Sequence, residues 1–149
     1  MDEEARRDRQ MIELLNELRV ALPGVQFLFG FLLTVPFSSR YEDTTSFQRM
    51  LLGAAIVLTA LSAACLIAPS AAHRIRFHQG DRPWLIESAS RLLLAGLLFL
   101  GLAIGCAVLL VTDVLYGPVA AGLLTGVVVL AVLTLWLVLP VRRGRRHPG

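Results

Sequence analysis

The chain has 149 residues, of which 56% are hydrophobic and only 17% charged, and its mean hydropathy is +0.68. Ordinary soluble domains contain about 45–50% apolar and about 25% charged residues, so this composition excludes a disordered segment and argues against a soluble fold. The length leaves room for one domain. All 14 basic residues are arginines, and they outnumber the acidic residues to give a net charge of +3. The positions of these arginines therefore indicate whether the positive charge binds nucleic acid or lies at a membrane surface.

The N-terminal segment, residues 1–19, has the pattern of an amphipathic helix. Its apolar residues recur at a spacing of three and four, with charged residues between them. These apolar residues are Met11, Leu14, Leu15 and Leu18. The helix either lies on the membrane surface or continues directly into the hydrophobic stretch that follows.

Four uncharged stretches are long enough to cross a bilayer, whose core of about 30 Å needs roughly 20 helical residues. They cover residues 20–37, 50–72, 92–112 and 119–140. Asp113 ends the third stretch, and Gly117-Pro118 separates it from the fourth. A chain in lipid must satisfy its own backbone hydrogen bonds, so the stretches are predicted to be helices. We predict an all-α membrane protein in which the amphipathic helix precedes a domain at 20–141 with four transmembrane helices in two hairpins.

The arginines lie almost entirely on one side of these spans. Four arginines occur in the N-terminal segment, four in the middle loop at 73–90 together with the adjoining Arg91, and four in the basic tail at 142–149. These make twelve, against two between the first and second spans. Positive charge is retained on the cytoplasmic side of a membrane, so both termini are predicted to be cytoplasmic. The distribution also argues against nucleic acid as a partner and indicates contact with the lipid bilayer and its anionic head groups.

Small residues in the spans predict close helix packing. The third span contains Gly101-x-x-x-Gly105 and the fourth contains Gly122-x-x-x-Gly126. This spacing lets helix backbones approach closely, either within one chain or between chains.

No arrangement of residues indicates catalysis, a cofactor or a metal ion. The three histidines, His73, His78 and His147, have no carboxylate or thiolate partners at metal-binding spacing. Cys65 and Cys106 lie at different depths of their spans, so they are predicted to be free thiols. We therefore predict a protein that is not an enzyme and that binds no cofactor.

Polar groups within or beside a membrane span are functional candidates because they are costly in lipid. The candidates for a polar pathway or for helix packing are Glu17, Arg19, Gln26 and Asp113. Our hypothesis is that Gln26 faces the bundle or a subunit interface and lines a cytoplasmic vestibule with Arg19 and Glu17. The alternative is a packing helix kinked at Pro23, in which Gln26 bonds a neighbouring helix. Asp113 either binds an ion or caps the turn before Gly117.

Several segments resemble one known family. The sequence reads ELRVALPGVQ at 17–26 and FLLTVPF at 31–37, followed by FQR at 47–49, AP at 68–69 and HR at 73–74. Over residues 14–110 the chain thus resembles a family of small, uncharacterised membrane proteins of actinobacteria. The resemblance implies four membrane helices and a bacterial inner membrane. Some relatives carry the name sodium:proton antiporter, although this sequence has no carboxylate near the middle of a span.

These observations predict a multi-pass protein of the bacterial inner membrane. Four helices with so few interior polar groups enclose no solute pathway alone, so we predict a homo-oligomer that transports an ion or a small solute between its subunits. The alternative is a membrane-anchored structural or interaction protein that binds anionic lipid or a cytoplasmic partner.

Overall fold

The computed structural model describes residues 3–76 and 82–138 and is helical almost throughout. Four long helices follow one another: α1 (Glu3–Thr34), α2 (Ser46–Arg76), α3 (Arg82–Tyr116) and α4 (Pro118–Leu133). A short 3₁₀ turn, Val35–Phe37, extends α1, and a π-helical turn, Thr134–Val138, extends α4. The stretches long and apolar enough to cross a membrane are Arg19–Phe37, Ser46–Ala71, Ala89–Tyr116 and Pro118–Trp136. The predicted all-α fold with four membrane helices is therefore confirmed.

The N-terminal segment and the first span form one continuous helix. α1 runs from Glu3 to Thr34 with Pro23 inside it. Of the two arrangements that the sequence allows, the structure thus shows the helix that continues into the span. Two predicted features lie outside what the structure describes. These are the side chains of the apolar face (Met11, Leu14, Leu15 and Leu18) and the basic tail at 142–149.

The α3–α4 connection is a single residue. Gly117 has a φ of +82°, which favours glycine, and Pro118 begins α4 at a position where a missing N–H costs nothing. This confirms the predicted break at Gly117-Pro118. However, α3 continues through Asp113 to Tyr116, because a single carboxylate in a last helical turn does not end a helix.

The predicted middle loop, 73–90, was wrong in its extent. α2 continues to Arg76 and α3 already begins at Arg82, with Pro83 in its first turn. Hydropathy marks only the part of a helix that lies in lipid, whereas the helix itself continues beyond the membrane surface. Residues 77–81 lie outside the described range.

The helices form an open row and not a closed bundle. Among the described residues, α2 packs on α3 most extensively, α1 packs on α2 with a small contact to α3, and α4 packs on α3 alone. We call the end with residues 35–45 and Gly117 the hairpin end, and the opposite end, with Arg19 and Trp136, the terminal end. Leu32, Leu52 and Leu110 join a buried cluster toward the hairpin end, and Val25 and Leu66 form a second cluster toward the terminal end.

α2 and α3 approach each other closely at Gly96. The buried hydroxyl of Ser62 donates a hydrogen bond of 2.7 Å to the carbonyl of Gly96. A Cβ atom added at Gly96 would lie 2.8 Å from Cδ2 of Leu66. Because such a distance is too short for carbon atoms, the α2–α3 contact requires glycine at this position.

The predicted glycine motifs have different environments. A Cβ added at Gly101 or Gly105 would meet Val132 or Val129 of α4 at 3.4 and 3.5 Å. A Cβ added at Gly122 or Gly126 would meet nothing within 4 Å. The motif of the third span therefore packs within the chain, while the motif of the fourth span faces outward.

Candidate functional site: polar groups on the membrane helices

One face of α1 is used for packing. Val25 and Leu32 are buried, and Ala21, Leu28 and Val35 are half-buried beside them. These positions follow one another at intervals of three and four residues, which places them on one side of a helix. They pack with the two buried clusters, so this side of α1 is covered by the other helices.

The opposite face of α1 carries the polar group predicted to matter most. Gln26 is exposed, as are Arg19 and Gly30 on the same side of the helix. Seven residues, nearly two helical turns, separate Arg19 from Gln26, so their Cα atoms lie about 10 Å apart along the axis. A Cβ added at Gly30 would meet nothing within 4 Å. Gln26 is thus on the side of α1 away from the buried face, and its predicted position at a bundle or subunit interface stays a prediction.

The other three candidates do not come together with Gln26 in one described site. The side chain of Glu17 lies outside the described residues. Arg19 is exposed at the terminal end, where the first span begins. Asp113 lies in the last turn of α3, at the hairpin end. The predicted vestibule of Gln26, Arg19 and Glu17 therefore stays a prediction.

Asp113 has a partner that the sequence pattern did not indicate. Its Oδ2 atom accepts a hydrogen bond of 2.8 Å from Nε2 of Gln48. The turn at Gly117 is closed instead by the backbone carbonyl of Asp113, which accepts a bond of 3.0 Å from the N–H of Gly117. The carboxylate thus connects α3 to α2 and does not cap the turn.

Gln48 also belongs to the cap of α2. The N–H of Gln48 donates to Oγ1 of Thr45 at 3.2 Å, and the N–H of Thr45 donates to Oε1 of Gln48 at 3.0 Å. This reciprocal pair is a capping box, which satisfies two backbone donors at a helix start. The box stabilises the start of α2 at Ser46.

Of the two arginines at the hairpin end, Arg40 and Arg49, one is held by several contacts. Nε of Arg49 donates to Oγ1 of Thr44 at 3.2 Å, and its terminal nitrogen donates to the carbonyl of Glu42 at 3.3 Å. Its guanidinium also lies 5.5 Å from the centre of the Tyr41 ring. Arg40 is exposed, and no hydrogen bond or ion pair holds its side chain within the described part of the chain.

The interior contains few polar groups, and most of them bond to backbone. Thr59 and Ser62 are the buried polar residues of the described core, and Oγ1 of Thr59 donates to the carbonyl of Ala55 at 2.7 Å. Oγ1 of Thr125 is buried between α3 and α4 and has no hydrogen-bond partner among the described residues. Within the same residues, no group of three His, Cys, Asp or Glu side chains could hold a metal ion. The described interior thus offers no continuous polar path.

Three depressions lie on the surface of the row. A groove of about 450 Å³ separates α3 from α4 and is apolar apart from Thr125. A cleft of about 670 Å³ at the terminal end lies between Asn16 of α1 and Trp136. A groove of about 230 Å³ at the hairpin end lies between α1, α3 and the connection that contains Arg40. Among the described lining residues of these three, a charged side chain, Arg40, occurs in the last.

The comparison with known families decides where the sequence belongs. A family model described as a family of unknown function, DUF6328, matches residues 2–140. The chain belongs to the DUF6328 family. No curated protein and no solved structure matches it. DUF6328 membership agrees with the resemblance to an uncharacterised family, whereas the actinobacterial origin of that family stays a prediction.

Proposed function

We propose that this DUF6328 protein is a non-enzymatic, multi-pass protein of a bacterial inner membrane that assembles as a homo-oligomer. In this proposal it moves an ion or a small solute along the junction between subunits. The observation that carries the proposal is the exposed amide of Gln26 within the first membrane span. The proposal follows from the cost of that amide in lipid and from the apolar interior of the single chain.

An amide that faces lipid without a partner is unfavourable, because lipid tails offer no hydrogen bonds. No side-chain hydrogen bond of Gln26 is present within the described residues. Pro23, one turn earlier, has no N–H and so cannot donate to the carbonyl of Arg19. A second copy that places its own α1 against this face would supply partners for both groups, as polar side chains do between membrane helices.

The apolar interior of the chain also favours a pathway between subunits over one within a single chain. The hydroxyls of Thr59 and Ser62 are used by backbone carbonyls, and the clusters around Leu32 and Leu66 are apolar. An ion needs polar groups along its route, since a charge in apolar surroundings is strongly destabilised. The polar groups of α1 lie on its outer face, so a junction built from that face would supply them.

The orientation in the proposal follows from charge. The arginine distribution places the terminal end in the cytoplasm and the hairpin end outside the cell. The resemblance to actinobacterial membrane proteins supports the inner membrane. The cytoplasmic side would then attract anionic lipid head groups to the arginine-rich segments.

A second candidate function is a membrane-anchored interaction protein. α1 begins at Glu3, sixteen residues before the first span, and so extends about 24 Å beyond it at 1.5 Å per residue. Arg9 and Glu13 form an exposed ion pair of 3.4 Å on this extension. A charged helix outside the membrane favours contact with anionic lipid or with a cytoplasmic partner.

The experiment that tests transport is a flux measurement in liposomes. Proton and sodium flux are measured under imposed gradients for the wild type, for Gln26→Ala and for Leu123→Ala, an exposed apolar residue on α4 that serves as the control. We expect flux in the wild type and in the control, and a reduced flux in Gln26→Ala. Flux no higher than that of empty liposomes at every gradient overturns transport and favours the interaction protein.

A further inference from the structure

We infer that the groove at the hairpin end binds one phospholipid molecule, with an acyl chain between α1 and α3 and the lipid phosphate on Arg40. The inference goes beyond the proposed function, because it concerns the opposite end of the row and requires neither transport nor oligomer formation.

The walls of the groove suit an acyl chain. They consist of apolar side chains from α1 and α3, and the volume between them is about 230 Å³. Phe31 on one wall and Val111 and Leu115 on the other remain 56%, 46% and 60% exposed in the single chain. A membrane places hydrocarbon against such a surface, so the groove holds lipid without any loss of hydrogen bonds.

The mouth of the groove carries the charge. Arg40, Ser38 and Tyr41 line it where the chain leaves the first membrane span at Phe37. This is the level at which arginine side chains extend into the head-group region. A guanidinium binds phosphate oxygens through two parallel hydrogen bonds, so phosphate is the group that Arg40 recognises best.

The two arginines at the hairpin end, Arg40 and Arg49, differ in how many of their hydrogen-bond donors are available for a ligand. The guanidinium of Arg49 donates hydrogen bonds to Oγ1 of Thr44 and to the carbonyl of Glu42, and it lies over the ring of Tyr41. Arg40 has no such contacts within the described residues, and its exposed side chain borders the groove. Of the two, Arg40 therefore has all five of its guanidinium donors available and lines the groove.

The surrounding charges favour a zwitterionic lipid over an anionic one. Three carboxylates, Glu42, Asp43 and Asp113, share the hairpin end with Arg40 and Arg49, so this end is negative by one charge. A lipid with a net negative charge is repelled by that excess. A head group that contains both a phosphate and an ammonium group, such as phosphatidylethanolamine, is neutral and offers a cation to the carboxylates.

The test measures lipid binding to the delipidated full-length protein by native mass spectrometry. Phosphatidylethanolamine, phosphatidylglycerol and inorganic phosphate are added separately to the wild type and to four variants. Arg40→Gln removes the charge, and Arg9→Gln makes the same change at the other end. Val111→Phe fills the groove, and Val127→Phe makes the same change on the outer face of α4.

Phosphatidylglycerol is also attracted to the arginine-rich segments at the terminal end, so we expect Arg40→Gln to affect its binding less than that of phosphatidylethanolamine. Arg40→Gln weakens the binding of phosphatidylethanolamine about tenfold, as the loss of a charged hydrogen bond does. Val111→Phe also weakens it, and the two controls leave it unchanged. Thermal unfolding of each variant shows whether it has kept the fold.

Three results would overturn the inference. The first is equal binding of phosphatidylethanolamine by wild type and Arg40→Gln, and the second is a larger effect of Arg40→Gln on phosphatidylglycerol than on phosphatidylethanolamine. The third is binding of inorganic phosphate alone together with no effect of Val111→Phe on lipid binding, which would show a free-phosphate site without a role for the groove. None of these results depends on flux or on subunit number, so the proposed function is judged separately.

Discussion

The side-chain amide of Gln48 joins the first turn of α2 to the last turn of α3 through Asp113, 65 residues later in the chain. Its Nε2 donates to Oδ2 of Asp113 at 2.8 Å, while its Oε1 accepts from the N–H of Thr45 at 3.0 Å. A carboxylate is unfavourable at the C-terminal end of a helix and favourable at an N-terminal end. The adjacent start of α2 therefore offsets the position of Asp113 in α3.

We expect Gln48→Ala to lower the free energy of unfolding by about 1–3 kcal/mol, because it removes half of the capping box and leaves Asp113 without its donor. Asp113→Asn keeps an acceptor oxygen and should cost less. The measurement is equilibrium unfolding in mixed detergent micelles. Asn16→Ala, an exposed amide on α1, serves as the control with an expected change below about 0.5 kcal/mol. An equal loss in Gln48→Ala and Asn16→Ala would show that the bond contributes nothing.

The local parts of this arrangement were predictable from sequence, and the long-range part was not. Thr45 in a run of capping residues indicates where α2 begins, since a cap depends on neighbours within three residues. The Gln48–Asp113 bond depends instead on how far α2 is shifted along α3. No hydrophobic pattern fixes that shift, because α3 is apolar on almost every side.

The glycines also show that sequence spacing does not predict which helix faces pack together. Their spacing draws attention to the two GxxxG motifs, yet among the described glycines the tightest surroundings are at Gly96, which belongs to neither motif. A Cβ at Gly24, by contrast, would meet nothing within 4 Å. Sequence spacing identifies faces that permit close approach, whereas only the packing shows which face has a neighbour.

Gly96→Ala should destabilise the fold by about 1–3 kcal/mol, the usual cost of overpacking. The added Cβ would lie 2.8 Å from Cδ2 and 2.9 Å from Cγ of Leu66, and Leu66 is fully buried and has little room to move. Gly122→Ala is the matched control, since its Cβ would meet nothing and alanine is the better helix former. The same unfolding titration measures both. Unchanged stability in Gly96→Ala would contradict the close contact between Gly96 on α3 and Leu66 on α2.

Ser62→Ala should cost about 0.6 kcal/mol, the average for hydrogen bonds between membrane helices. The hydroxyl bonds the carbonyl of Gly96 on the neighbouring helix at 2.7 Å. Thr34→Val is the comparison, because its hydroxyl bonds the carbonyl of Phe31 in its own helix. The two variants are compared by unfolding in micelles, and a larger loss in Thr34→Val would contradict the α2–α3 bond.

The orientation is tested by labelling single cysteines in intact cells. In a background with Cys65 and Cys106 replaced by alanine, Ser39→Cys places a thiol on the exposed connection at the hairpin end. We expect a membrane-impermeant maleimide to label it without lysis, because the arginine distribution puts this end outside. Arg9→Cys, on the extension of α1, should react only after lysis. The reverse pattern would contradict the predicted topology.

Gln26→Leu should weaken association of the chains by a factor of about 5–30, which corresponds to about 1–2 kcal/mol for the hydrogen bonds of the amide at a subunit junction. Subunit association is measured by light scattering and by energy transfer between labelled copies in liposomes over a range of dilutions. Thr34→Val is the control, since it also replaces an exposed polar group on α1 but one that already bonds its own helix. If Gln26→Leu leaves association unchanged while it raises thermal stability, then Gln26 faces lipid in a single chain, and the junction must be built from another face.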